Sequence, residues 1–166
     1  MRAKWPAIGW ASVLVLSTGL SACVDTSPDR VKLTASVSDV SLTVARSSLV
    51  TSLAGSFALH LNLGDLADQA ATMTDPPTFQ LVTASNRSEV AALDAILQGA
   101  TLPVTVKPGN SVVLSYKLND QASLPQATLD SACAADVAVA GTLRDSSNGD
   151  QPLAFESLPT KPTGCP

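Results

Sequence analysis

The sequence predicts an all-β fold, an antiparallel two-sheet sandwich with one or two short helical crossings, and three observations carry that expectation. Apolar residues recur at every second position along most of the chain, the period of a half-buried strand. Turn-forming residues punctuate those runs at short intervals. No long helical period and no regular alternation of strand and helix intervenes, so two facing antiparallel sheets are the most economical way to bury the alternating faces.

The first residues precede that pattern. Met1-Arg-Ala-Lys4 is a positively charged start, and Trp5 to Gly19 is an apolar run interrupted by Pro6, Gly9 and Gly19, which together form a secretory signal pattern. A membrane-spanning helix needs about 20 apolar residues, whereas this run holds about 15 before Asp25, Pro28 and Asp29. The run closes on Leu20-Ser21-Ala22-Cys23, which resembles the lipobox of bacterial lipoproteins. The resemblance implies that residues 1–22 are removed and that Cys23 becomes the first residue and bears lipid, with acyl chains such as palmitate. An ordinary signal cut after Ala22, leaving Cys23 free, is the alternative. Two or three acyl chains hold a protein on a membrane, since each buried CH₂ contributes about 0.8 kcal/mol. In Gram-negative members of that family an aspartate after the cysteine favours the inner membrane. Val24 stands there in this chain, which implies the outer membrane, on its periplasmic side. Residues 23–30 form the lipidated start and a tether, whose seven residues Val24 to Arg30 reach about 25 Å at most.

Residues 31–166 then read as a single sandwich domain. Val31, Leu33, Ala35 and Val37 alternate with polar residues, and past Ser38-Asp39 the parity shifts to Val40, Leu42 and Val44. A shift of parity exchanges faces, so a bulge is expected at Ser38-Asp39. Phe57, Leu59, Leu61 and Leu63 form the next run, Phe79 to Thr83 another. Glu89 to Gln98 breaks the pattern: Val90, Leu93 and Leu97 have three- and four-residue spacing between Ser88 and Gly99, which predicts a short helix. Leu66 to Met73 is a second candidate helical turn, ended by Pro76-Pro77. Leu102, Val104 and Val106 lead through Lys107-Pro-Gly-Asn110, with proline and glycine placed for a type II turn, into Val112, Leu114, Tyr116 and Leu118, which predicts a hairpin. A second hairpin is expected from Val137, Val139 and Leu143, through Asn148-Gly149, to Leu153 and Phe155, with both turn residues suited to type I′. The segments Leu102 to Leu118 and Val137 to Phe155 resemble the late strands of immunoglobulin-like modules of bacterial envelope proteins, without the Cys and Trp spacing of true immunoglobulin domains.

Composition narrows the function. Removing residues 1–22 from the 166 leaves 144, a normal size for one domain. It takes Arg2 and Lys4 from the ten basic residues and none of the fourteen acidic ones, leaving a balance of −6 and no basic run. That argues against nucleic acid and against electrostatic binding to anionic lipid. Both tryptophans leave as well. Of the remaining aromatics, Phe57, Phe79 and Phe155 read as core and Tyr116 as a half-buried strand residue, so no aromatic platform for a sugar is expected. With Cys23 lipidated, Cys133 and Cys165 remain in a chain exported to a compartment where disulfides persist, which predicts a bridge holding the Pro-rich tail to the body.

Chemistry is sparse. His60, the single histidine, lies between Leu59 and Leu61 and should point away from the face they fill. No Gly-x-Ser-x-Gly elbow accompanies it. Asp145, Asn148 and Asp150 are weak candidates for a calcium loop, because the EF-hand spacing is not met. Asp65 and Asp68, three apart, read as a solvated face. The sequence therefore predicts a non-enzymatic, membrane-anchored envelope lipoprotein without cofactor, whose partners are the membrane and an unidentified envelope protein. A small-ligand or calcium-binding module and an unrecognised hydrolase are the alternatives.

Overall fold

The computed structural model describes residues 31–46, 51–119, 124–149 and 151–166. The signal, the lipobox and the tether lie outside the described residues, as does Asp150. In chain order the strands are β1 Leu33–Arg46, β2 Thr51–Leu63, β3 Ala71–Met73, β4 Thr78–Thr83, β5 Glu89–Leu93, β6 Ala95–Gln98, β7 Val104–Val106, β8 Ser111–Leu118, β9 Val137–Leu143 and β10 Leu153–Glu156. A helix, α1 Gln126–Ala134, separates β8 from β9.

The first sheet runs β1-β2-β8-β6 and the second β10-β9-β4-β5, with every ladder antiparallel. That is the strand order of an immunoglobulin-like sandwich with an added edge strand beside the third. The all-β sandwich read from the alternation is thus the observed fold. β3 and β7 add a separate two-stranded ribbon.

All four aromatics described above meet where the sheets face each other. Phe57 and Tyr116 come from the first sheet, Phe79 and Phe155 from the second. Ring centroids lie 4.9 Å apart for Phe57 and Phe79, 4.8 Å for Phe79 and Tyr116, and 5.6 Å for Phe79 and Phe155. Edge-on and tilted contacts of this kind add to the burial of apolar area that holds the sheets together. Gly141 in β9 makes room for them, since a Cβ there would sit 2.1 Å from the Thr78 carbonyl oxygen and 2.6 Å from the Phe155 ring. Tyr116 is not half-buried as expected but 3% exposed, because its strand is central, between β2 and β6.

The bulge is where parity placed it. Pairing of β1 with β2 breaks between Ser38 and Ser41, Asp39 takes φ +53°, and Leu33 and Val37 before it share the buried face with Leu42 and Val44 after it. The tail then seals the outer edge of β1: Val44 N–H donates to Thr163 O and Thr163 N–H to Leu42 O, both at 2.9 Å. The Cys133–Cys165 disulfide, Cα–Cα 5.5 Å, fastens that tail to α1 as expected.

Four local expectations are corrected. Glu89 to Gln98 is not a helix but β5 and β6, which belong to different sheets and are joined by Asp94 alone. Leu93, Ala95 and Leu97 also have period two, and pairing with β4 and β8 outweighs local helix propensity. Leu66 to Met73 is a turn followed by β3, not helix. The Lys107–Asn110 turn forms, with Gly109 at φ +73° and Asn110 N–H donating to Lys107 O at 3.0 Å, but it joins no hairpin. β7 pairs with β3 while β8 pairs with β2 and β6. β9 and β10 do pair, Leu143 against Leu153, yet across a longer loop in which Gly149 but not Asn148 has positive φ, so there is no type I′ turn. The named helix among the described residues is α1, which follows Pro125 and buries Leu129 and Ala132.

Candidate functional site

His60 stands on the outer face of the first sheet, half-buried, between the fully buried Leu59 and Leu61. Register sets Ser36 opposite it, and the bulge brings Ser38 to it: Ser38 Oγ lies 2.7 Å from His60 Nε2 and donates to Asp39 Oδ2 at 2.8 Å. A hydroxyl has one proton. With that proton on the Asp39 carboxylate, Ser38 Oγ can accept from His60 only in the ring tautomer that carries hydrogen on Nε2. Nucleophilic catalysis needs the opposite wiring, with histidine accepting the serine proton and the carboxylate orienting the other ring nitrogen. The contacts of the three residues tie the bulge to β2.

Beside this cluster a cleft of about 240 Å³ opens between the bulge and the segment after β10, lined by Val37, Val40, Leu158, Pro159 and Thr160 together with Ser38 and Asp39. Leu158 is 84% exposed on its rim.

The Asp145 carboxylate is buried, and its acceptor capacity is taken up within its own loop. Oδ1 accepts from Ser147 N–H at 2.7 Å, from Ser147 Oγ and from Asn148 N–H at 3.2 Å, while Oδ2 accepts from Asn148 Nδ2 at 3.1 Å. This is the cap of a turn, with the carboxylate satisfying backbone donors. The loop is further docked on β3 by Thr72 N–H to Ser146 Oγ and Ser146 N–H to Thr72 O. Asp65 and Asp68 are both exposed in the β2–β3 connection, without the helical turn that was expected to align them. Among the described residues no three His, Cys, Asp or Glu side chains converge in a way that could hold a metal ion. Nor is any helix among them long and apolar enough to cross a membrane.

Sequence reasoning missed the Ser38–Asp39–His60 cluster. The bulge itself was legible, but the 22-residue separation of Ser38 from His60 is bridged only by the β1–β2 register. Searched against family models, curated proteins and solved structures, the chain gave no match. Strand order and covalent structure alone define the class of protein, an all-β antiparallel two-sheet sandwich with a disulfide-fastened tail.

Proposed function

We propose that this chain is a lipid-anchored lipoprotein of the bacterial cell envelope whose sandwich serves a structural or protein-interaction role without catalysis. One observation carries the reading: the lipobox-like Leu20-Ser21-Ala22-Cys23 at the end of a signal-like start. The disulfide is consistent with export, since such bridges persist in oxidising compartments. The Asp39 carboxylate engages Ser38 itself and so is not placed as the orienting partner of a histidine base, which supports the non-catalytic part. Val24 after the cysteine favours the outer membrane, with the domain in the periplasm.

The test is mass spectrometry of the mature N-terminus from membranes, alongside Cys23→Ala. A diacylglyceryl cysteine at residue 23, with the variant released from the membrane fraction, is the expected result. An unmodified mature start overturns the anchor. Hydrolysis of a substrate by the purified domain, lost in His60→Ala, overturns the non-catalytic role.

A further inference from the structure

Where the tether joins the fold decides which end of the sandwich meets the bilayer. Resting on the lipoprotein reading above, we infer that the loop end carrying Leu66 and Pro108 docks on the membrane surface, while α1 and the β4–β5 turn project away from it. β1 begins at that loop end. Lys32 O accepts from Gly64 N–H at 3.3 Å, and Gly109 N–H donates to Leu63 O at 3.0 Å, so the start of β1, the β2–β3 connection and the Lys107–Asn110 turn form one continuous rim. The Asp145 loop adjoins it, since Lys32, Asn148 and Gln151 line a single cleft.

Lengths make the orientation one-sided. The seven residues Val24 to Arg30 reach about 25 Å, whereas the fourteen residues of β1 carry the chain roughly 45 Å toward the opposite end. The tether is too short to let the far end, where Thr83 pairs with Val137 and Cys133 with Cys165, turn onto the bilayer. The rim is also suited to the contact. Val31 and Leu66 are 39% and 38% exposed and Pro108 is exposed as well, so apolar side chains stand at the end from which β1 departs. The outer face of the first sheet instead presents Thr34, Ser36, Ser56 and Ser115, with Val113 and Ile96 standing singly among them. Lys32, Lys107 and Arg144 are outnumbered at this end by Asp65, Asp68, Asp75 and Asp145, with Asp150 in the same loop of the sequence, so the contact needs no anionic lipid.

The experiment uses the acylated protein with its disulfide intact, reconstituted in phosphatidylethanolamine–phosphatidylglycerol vesicles containing a nitroxide lipid. A polarity-sensitive fluorophore is placed in turn on Leu66→Cys at the rim, Ser115→Cys on the sheet face and Ser85→Cys at the far end. Quenching several-fold stronger at residue 66 than at 115 and 85 is the expected result, unchanged when phosphatidylglycerol is replaced by phosphatidylcholine. Equal quenching at all three, stronger quenching at 115 or 85, or none at 66 overturns the docking. Mass spectrometry of the same samples separates the two claims: an acylated Cys23 with residue 66 unquenched sinks only the docking, and an unacylated Cys23 sinks both.

Discussion

Tyr116→Phe should stabilise the sandwich, and the reason is specific to one atom. The Tyr116 hydroxyl is buried and has no hydrogen-bond partner among the described residues, while its ring stacks on Phe57 at 5.6 Å and meets Phe79 edge-on. An unmet buried hydroxyl costs about 1–3 kcal/mol. Phenylalanine keeps the ring contacts and removes that cost, so a gain of roughly 1 kcal/mol is expected, or about 4 °C in Tm for a domain of this size. The same burial pushes the phenol up to about 12 from its usual 10.0, because the phenolate is desolvated. Above pH 10 the unfolded chain gives up its phenolic proton while the folded one keeps it, so stability falls as pH rises through the interval from 10 to 12. At pH 11 the loss is on the order of 1 kcal/mol. Tyr116 is the only tyrosine, so the tyrosinate absorbance band of the native protein reports this group alone. Urea unfolding of wild type and Tyr116→Phe at pH 7 and pH 11 gives both numbers, with the variant cancelling the contribution of the lysines. A variant destabilised at pH 7, or tyrosinate forming near pH 10 in the folded protein, would refute the reasoning by showing that the hydroxyl has a partner or reaches water.

Other outcomes follow from particular contacts. Replacing Cys133 and Cys165 together by serine opens a loop spanning 32 residues and should cost about 3–4 kcal/mol in calorimetry; wild-type Tm in the double variant would show that the tail hydrogen bonds to β1 suffice. Gly141→Ala drives a Cβ into the Thr78 carbonyl and the Phe155 ring, and should cost more than about 2 kcal/mol in denaturant unfolding. Asp145→Ala leaves the Ser147 and Asn148 backbone donors unmet at a cost of about 1–3 kcal/mol, and calcium should leave wild-type Tm unchanged; a calcium-dependent rise in Tm would restore the metal-loop reading.

What the sequence made legible was local or covalent. The change of parity around Ser38-Asp39 lies within one strand, so faces on either side of the bulge could be read without knowing the partner strand. The disulfide was legible by elimination once Cys23 was assigned to lipid. The errors share a different cause. Val90, Leu93 and Leu97 fit a helix, and Leu93, Ala95 and Leu97 fit a strand, so nothing within Glu89 to Gln98 distinguishes the two. The decision lies with β4 and β8, which pull successive residues into opposite sheets around Asp94, where Asn119 N–H to Asp94 O and Asn119 Nδ2 to Asp94 Oδ2 secure the crossing. The β7 pairing failed likewise: a sound turn at Pro108-Gly109 does not specify which strand its predecessor joins, and Val104–Val106 found β3 some thirty residues upstream.

The same division runs through the functional reading. A signal read by linear spacing, such as Leu20 to Cys23, requires no fold to be recognised. The geometry of His60, Ser38 and Asp39 exists only after β1 and β2 have paired in register. Topology adds what neither local signal contains. Because β1 leads away from the tether for fourteen residues before β2 returns, the strand order sets the Leu66 rim near any anchor on Cys23 and leaves α1 and the disulfide at the remote end.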